Sequence, residues 1–138
     1  MKAGDIMTKP VLATSPRAAV LDVANKLVKN RITGMPVADR AGKVLGVITE
    51  ADILVALIEG RKLETLVAED IMSPEPVTVD VNMSMTEVMN RLNEEGILRV
   101  PVTDQGVLVG IISRVDIIRA MLAPKSIRTM EPEFMTFQ

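Results

Sequence analysis

The feature that most restricts the fold of this chain is an internal duplication. An Asp-Ile-Met tripeptide at residues 5–7 recurs at 70–72, which is 65 positions later. The segment 35–39, which reads Met-Pro-Val-Ala-Asp, recurs with the same offset at 100–104 as Val-Pro-Val-Thr-Asp. Similarity at a fixed spacing indicates two copies of one supersecondary unit.

The duplication also sets the expected domain boundaries. A third matching pair, 46–53 and 110–117, is offset by 64 positions, so the second copy has lost one residue. The copies fill most of a 138-residue chain, which is long enough to form a hydrophobic core. We expect repeat 1 with its linker at 1–65, repeat 2 at 66–123 and a C-terminal tail at 124–138, with the two repeats packed as one compact module.

Each copy predicts the order strand, helix, strand, strand, helix. The fold class is therefore α/β (α+β), a tandem duplication of a β-α-β-β-α unit packed as a pseudo-two-fold pair. In repeat 1 the expected strands are 10–13, 35–38 and 44–48, the expected second helix is 50–59, and a charged linker follows at 60–68. Ser15 suits the N-cap of the first helix and Pro16 its first position.

Apolar spacing predicts which helix faces are buried. In repeat 2, Ser84 and Glu87 form a capping-box pattern before the first helix, and Gly96 can end it. A turn is expected at 104–106. The apolar face of the first helix of repeat 1 is expected to contain Val20, Val23, Ala24, Leu27 and Val28. The inner face of the last helix is expected to contain Ile117, Ile118, Met121 and Leu122.

One helical segment is apolar on every side. Residues 53–58 read Ile-Leu-Val-Ala-Leu-Ile. A helix of this kind is buried on more than one side. It either lies deep in this domain or contacts the core with one face and a second subunit with another. We expect the second arrangement, a homodimer formed through the helices.

Composition excludes several kinds of function. The chain contains no Cys and no His, which excludes disulfides, thiolate zinc sites and histidine-based catalysis. Charges of both signs are interspersed without a basic stripe, so we expect no binding to nucleic acid. The apolar runs are short and the N-terminus lacks the apolar core of a signal peptide, so we expect a cytoplasmic protein with no membrane partner. We also expect no enzymatic activity, no metal and no required cofactor.

One motif at a strand-to-helix junction could bind a ligand. The first turn of a helix attracts phosphate, an Asp can accept hydrogen bonds from a ribose diol, and Gly lets a ligand approach the backbone. The same spacing is also an ordinary helix-capping pattern, so both interpretations stay open from the residues alone. The motif consists of Gly46, Thr49 and Asp52 in repeat 1 and of Gly110, Ser113 and Asp116 in repeat 2.

The twin Asp-Ile-Met starts, the twin Pro-Val strands and the twin motifs together resemble a tandem CBS domain pair (a Bateman module) of a stand-alone CBS domain protein. The resemblance covers about residues 4–123. It implies two clefts that bind adenosyl compounds such as AMP, ADP, ATP or S-adenosylmethionine, each built from both repeats. Carried over by the resemblance, cleft A contains Lys9, Val11, Ile32, Thr33, Ile111, Ser113, Arg114 and Asp116. Cleft B contains Val47, Thr49, Asp52, Glu75, Val77, Ile97, Leu98 and Arg99.

The two clefts differ in charge. Lys9 and Arg114 lie at the expected phosphate end of cleft A, whereas Glu50 and Glu75 take the matching places in cleft B. We therefore expect a charged nucleotide to prefer cleft A, and cleft B to be empty or to hold an uncharged or cationic group. Arg99 resembles a phosphate-binding base, but the sequence alone does not identify the cleft that it serves.

These features favour a regulatory module that binds an adenine nucleotide or S-adenosylmethionine and acts on a separate, unidentified effector protein. The alternative is a ligand-free dimerisation or scaffold module in which the Ser/Thr-x-x-Asp motifs are only helix caps. The tail at 124–138 matches nothing in the repeat. It could dock on a partner, form a strap across the module or be a frayed end.

Overall fold

The computed structural model of the chain describes residues 1–122. The helices are α1 (Ala3–Ile6), α2 (Val20–Asn30), α3 (Glu50–Ile58), α4 (Ala68–Ile71), α5 (Met85–Glu95) and α6 (Arg114–Leu122). The strands are β1 (Gly34–Ala38), β2 (Val44–Thr49), β3 (Ser73–Pro74), β4 (Val79–Asp80), β5 (Arg99–Asp104) and β6 (Val107–Ser113). A 3₁₀ turn, Leu63–Thr65, lies between α3 and α4. The tail at 124–138 lies outside the described residues.

The strands form two three-stranded sheets, one for each repeat. Their orders are β1-β2-β3 and β4-β5-β6. The central hairpins β1–β2 and β5–β6 are antiparallel, β3 joins β2 antiparallel, and β4 joins β5 parallel. This mixture of helices and sheets confirms the predicted fold class.

The predicted first strand at 10–13 is wrong. These residues have no strand structure, and the segment meets β1 only at Thr14, in a single bridge to Val37. Pro10 has no N–H to donate to a neighbouring strand. The matching segment of repeat 2, 75–78, is not a strand either, and β4 begins only at Val79, the counterpart of Thr14, where it pairs with β5.

The predicted start of the first helix is also wrong. α2 begins at Val20 rather than at Pro16, and the Ser15 carbonyl lies in a turn, where it accepts a hydrogen bond from the Ala18 N–H. The linker explains the later start. The Val20 N–H donates to the Leu66 carbonyl, and the linker therefore pairs with the stretch that was expected to be helical.

Other predicted ends are confirmed. The Ser84 hydroxyl accepts a hydrogen bond from the Glu87 N–H at the start of α5. Gly96 is the C-cap of α5, with a left-handed backbone at a φ of 63°. Gln105 and Gly106 turn the second hairpin with positive φ angles. Glycine adopts such a conformation without steric cost, which explains two of the three positions.

Each repeat has its own hydrophobic core, and each core is completed by the other repeat. Leu66 and Ala68, from the start of repeat 2, lie in the core of repeat 1, and Ala3 lies in the core of repeat 2. We call residues 2–8 the first arm and residues 67–74 the second arm. The first arm makes backbone hydrogen bonds with repeat 2, and β3 of the second arm pairs with β2 of repeat 1. The repeats therefore interlock.

Some residues expected on inner helix faces are exposed. On α2, Val28 is 81% exposed, although Val20, Val23 and Leu27 of the same predicted stripe are buried. On α6 only Ile117 of the predicted inner face is buried; the exposed residues are Ile118, Met121 and Leu122. Within residues 1–122 no helix has the length and apolarity needed to cross a bilayer.

Candidate functional site

The structure brings most of the predicted cleft B residues into one cavity between the repeats. Its volume is about 410 Å³. Repeat 1 contributes one wall and repeat 2 the other, as the resemblance implied. All residues named for this cleft except Asp52 line the cavity; they are Val47, Thr49, Glu75, Val77, Ile97, Leu98 and Arg99. The further lining residues are Thr33, Glu50, Ala51, Ser73, Pro74, Pro76 and Pro101.

Asp52 does not line this cavity, because its carboxylate is turned toward the start of its own helix. Thr49 is the last residue of β2 and the N-cap of α3. Its N–H and hydroxyl donate to the Asp52 carboxylate over 2.9 and 3.0 Å, and the Asp52 N–H donates back to the Thr49 hydroxyl. In the structure, Thr49 and Asp52 therefore form a helix cap at the start of α3.

The amides expected to bind phosphate at this helix start are mostly in use. The Thr49 and Asp52 N–H groups take part in the capping box, and the Glu50 N–H donates to the Thr33 carbonyl over 2.8 Å. Helix termini attract anions because their first N–H groups lack partners. With these three amides bonded, the start of α3 is a weaker anion site than its sequence suggests.

The same capping box occurs in repeat 2. The Ser113 N–H donates to the Asp116 carboxylate over 2.8 Å, and the Asp116 N–H donates to the Ser113 hydroxyl over 3.1 Å. The Asp116 carboxylate also forms an ion pair with Arg119 at 3.2 Å and lies 3.4 Å from the Thr8 hydroxyl. Arg114 donates from Nε to the Ile97 carbonyl. Asp116 is therefore held by both its own helix and the first arm.

The remaining cleft A residues are less tightly assembled. Ile111 bonds through its backbone to Thr8, while Lys9 is exposed and Val11 half-buried. Ile32 lines a separate groove between α2 and α3. Thr33, which we placed in cleft A, lines the cleft B cavity. The assembly of cleft A around a ligand therefore stays a prediction. Thr33 is assigned to the lining of cleft B.

Sequence reasoning missed Thr33 as a cleft B residue and left the place of Arg99 open. The Thr33 hydroxyl is buried and has no hydrogen-bond partner among the described residues. Its position, 65 residues before Leu98, is the signal that could have found it, since Leu98 lines the same cavity from the other repeat. The two segments that precede the Pro-Val strands therefore meet at cleft B.

Arg99 is the cation of cleft B. Its side chain is half-buried and reaches the backbone of the other repeat, so that a Cβ on Gly34 would lie only 3.1 Å from its Nη1. Burial lowers the pKa of the Arg99 guanidinium, and the nearby Glu50 carboxylate opposes this shift. An Arg retains its charge at neutral pH in either case. Among the described residues its guanidinium makes no hydrogen bond, which leaves its donors available.

The motif glycines have a structural role that we did not predict. A Cβ on Gly46 would lie 2.6 Å from the Ser73 carbonyl oxygen and 2.7 Å from the Met72 sulfur. A Cβ on Gly110 would collide with the side chain of Met7. The missing side chains of the two glycines therefore leave room for the two arms. The space that a Cβ would take is filled by arm residues and not left open for a ligand.

No group of three or more acidic, His or Cys side chains within the described part of the chain is placed to hold a metal ion. The cavity of cleft B has aliphatic walls together with two carboxylates and one guanidinium.

Comparison with known proteins agrees with this geometry. The sequence model of the CBS domain matches residues 3–59 and 67–123. The chain is 32% identical over 114 residues to the CBS domain-containing protein YhcV of Bacillus subtilis, which covers 82% of this chain and 80% of that protein.

Solved structures of CBS pairs have the same fold. CBSX2 in complex with AMP is 30% identical with a TM-score of 0.78, and the match covers 88% of this chain and 96% of that one. The CBS domain pair of protein MJ0100, in complex with 5′-methylthioadenosine and S-adenosyl-L-methionine, is also 30% identical, with a TM-score of 0.77 over 88% and 95% of the chains. This chain therefore belongs to the CBS domain family, as a tandem CBS pair.

Proposed function

We propose that this CBS pair is a regulatory module that binds an adenosyl compound, with cleft B as the site that the geometry supports best. The observation that carries the proposal is the cavity of about 410 Å³ shared by both repeats. Small-molecule sites commonly have this size, with apolar walls and a few polar groups. Val47, Val77 and Ile97 offer aliphatic surfaces for a flat base, and the charged groups lie beside them. Similar CBS pairs bind AMP, or methylthioadenosine and S-adenosylmethionine.

A ligand in this position can act as a regulator because it contacts both repeats. It shifts the module between two arrangements only if it binds one of them more tightly. We propose that a separate effector protein senses this arrangement and that the module works in the cytoplasm without catalysing a reaction. We propose in addition that a charged nucleotide prefers cleft A, on account of Lys9 and Arg114.

A variant that blocks the cavity tests the proposal. Leu98 lines cleft B and is 55% exposed, so a larger side chain at this position can be accommodated while it occupies the cavity. Leu21, on the outer side of α2, is exposed but does not line the cavity, and Leu21→Trp is the matched control. We expect adenosine or S-adenosylmethionine to raise the melting temperature of the wild type and of Leu21→Trp, but not that of Leu98→Trp.

Isothermal titration calorimetry with the same compounds gives the affinities, and mass spectrometry of the purified protein identifies any adenosyl compound that is retained. If no compound binds the wild type at millimolar concentration, the scaffold alternative, in which the motifs are only helix caps, is correct. If Leu98→Trp binds as tightly as the control, the site is not cleft B.

A further inference from the structure

The two repeats carry opposite net charge. Residues 1–65 contain ten Lys and Arg against seven Asp and Glu, whereas residues 66–123 contain four against nine. Two matching pairs of helix positions have inverted charge. Lys29 of α2 corresponds to Glu94 of α5, and Glu50 of α3 corresponds to Arg114 of α6. These side chains are exposed, and none of them forms an ion pair with a residue in 1–122. Each repeat therefore complements the charge of the other repeat and not its own.

The inverted charges lie beside exposed apolar surface. Glu50 lies one helical turn before the exposed Leu54, and Arg114 lies one turn before the exposed Ile118. Residues four apart share one face of a helix. The charge therefore stands at the edge of the same apolar face in each repeat, where a protein that covers that face also meets the charge.

The end of α5 lacks a cation that the end of α2 has. The last turn of α5 contains Glu94 and Glu95 and no basic residue, whereas the last turn of α2 contains Lys29 and the helix is capped by Arg31. The carbonyl end of a helix carries partial negative charge, so carboxylates there are unfavourable and cations are favourable. A cationic surface placed against the end of α5 therefore stabilises it, and the end of α2 is such a surface.

The repeats also differ in shape. The groove between α2 and α3 has a volume of about 420 Å³ and mostly apolar walls, and Ala24 lies on its α2 side. Met89 takes the matching position of α5, and its longer side chain packs against the core of repeat 2. On α6, Ile118 and Met121 are exposed. Repeat 1 therefore offers a groove, and repeat 2 offers projecting apolar side chains.

A two-fold dimer through these helices can be built in two ways. In a parallel dimer, repeat 1 contacts repeat 1 and repeat 2 contacts repeat 2, so that like charges meet and the two grooves face each other. In an antiparallel dimer, repeat 1 of each copy contacts repeat 2 of the other, so that unlike charges meet and the apolar side chains of α6 lie against the groove. Like charges across an interface are costly, and unfilled space loses packing contacts.

We propose that two copies of this chain form the antiparallel dimer, with α2 and α3 of each copy against α5 and α6 of the other. The apolar faces supply the attraction between the copies. The charges decide the orientation, because they disfavour the parallel arrangement. This assembly goes beyond the proposed function and does not depend on a ligand in cleft B.

Introduced cysteines report the orientation, because the chain has no Cys of its own. Leu54→Cys and Ile118→Cys place one thiol each at matching exposed positions of α3 and α6. The two variants are mixed, left to exchange subunits and treated with a short bismaleimide, and peptide mass spectrometry identifies the joined positions. We expect position 54 to be joined to position 118, and neither position to be joined to itself.

Arg40→Cys mixed with Gln105→Cys is the control for random collisions. These residues are exposed at the turns of the two hairpins, at the opposite end of β2 and β6 from the starts of α3 and α6. We expect no cross-link in this mixture. Cross-links that join 54 to 54 and 118 to 118, or a wild type that sediments as a monomer at micromolar concentration, would overturn the proposal.

Charge reversal tests what decides the orientation. In the antiparallel dimer, Lys29→Glu or Glu94→Lys alone brings like charges together at both contacts, and we expect the dissociation constant from sedimentation to rise roughly fivefold. The double variant restores unlike charges and should return to within about twofold of the wild type. In a parallel dimer, all three variants keep like charges and the dissociation constant stays unchanged.

Lys26→Glu is the matched control, because it changes the net charge by the same amount at another exposed position of α2. Lys26 corresponds to the like-charged Arg91 of α5, so this change should not weaken the antiparallel dimer. A double variant of Lys29 and Glu94 that dimerises as weakly as the single variants would show that these two side chains do not meet, and the role of charge in the proposal would be wrong.

Discussion

At the scale of single residues, both Ser/Thr-x-x-Asp motifs form helix caps. In both repeats the hydroxyl accepts from the Asp N–H, and the Asp carboxylate accepts from the N–H of the capping residue. Sequence reasoning correctly predicted this pattern as one of two interpretations. It could not predict that Asp52 faces away from the cavity, because spacing along a helix does not determine which hydrogen bonds a carboxylate makes.

The caps can be tested separately from ligand binding. We expect Asp52→Ala and Asp116→Ala each to lower the free energy of unfolding by about 1 kcal/mol, since each loses the carboxylate of a capping box. Urea denaturation without ligand measures the loss. Asp22→Ala, in the first turn of α2 and with no side-chain hydrogen bond to any residue in 1–122, is the control and should cost a few tenths of a kcal/mol at most. Equal stability of all three variants would contradict the capping role.

The same two variants also test the preference between clefts. Titration with AMP should show a larger loss of binding in Asp116→Ala than in Asp52→Ala if a charged nucleotide prefers cleft A. An equal loss in both variants would contradict that preference.

At the scale of elements, the apolar helix at 53–58 has one buried side and one that the described chain leaves uncovered. Ile53 and Ala56 are buried in the core of repeat 1. The other apolar residues of α3, together with several on α6, are between 41% and 76% exposed; they are Leu54, Val55, Leu57, Ile58, Val115, Ile118, Met121 and Leu122. Deep burial within residues 1–122 is thus excluded, and exposed apolar surface of this extent is typical of an interface.

Two helix variants test whether a second copy covers these faces. We expect the wild type to be a dimer by sedimentation velocity at micromolar concentration, and Ile58→Glu and Ile118→Glu to be monomers, because a buried carboxylate without a partner is costly. Asn25→Glu, at an exposed polar position of α2, is the control and should remain dimeric. A monomeric wild type, or dimeric Ile58→Glu and Ile118→Glu proteins, would rule out a homodimer through α3 and α6.

Sequence periodicity predicted the existence of these helices better than their starts and faces. It identified the buried Val20, Val23 and Leu27 but added Val28, which lies at the edge of the stripe and is exposed. It also began α2 at Pro16, since a local capping signal does not contain the hydrogen bond from Val20 to Leu66 in the linker. The errors therefore lie where contacts distant in sequence decide the local structure.

At the scale of the whole molecule, the two sequence repeats are not the two packing units. Ala3 lies in the core of repeat 2, and Ala68 lies in the core of repeat 1. The duplication predicted two equal units, but it could not predict the exchange of arms. An arm has the same composition and spacing whether it packs on its own repeat or on the other, so only the folded chain distinguishes the two.

The exchange makes a prediction about the motif glycines. Gly110→Ala should lower the free energy of unfolding by about 1–3 kcal/mol, because its Cβ collides with the Met7 side chain of the first arm. Shortening that side chain should relieve the collision. In the double variant Met7→Ala with Gly110→Ala, we therefore expect the loss to be smaller than the sum of the single losses by about 1 kcal/mol.

Gly46 provides the matched control, because a Cβ at this position would collide with backbone as well as with a side chain. A Cβ at this position would meet the Ser73 carbonyl oxygen as well as Met72, and backbone cannot be shortened by mutation. Met72→Ala should therefore leave most of the cost of Gly46→Ala in place when urea denaturation measures both cycles. Losses that simply add for Met7 and Gly110 would mean that the first arm does not pack on repeat 2 in solution. Because cleft B is bounded by the second arm as well as by both sheets, the same exchange of arms also builds the cavity of cleft B.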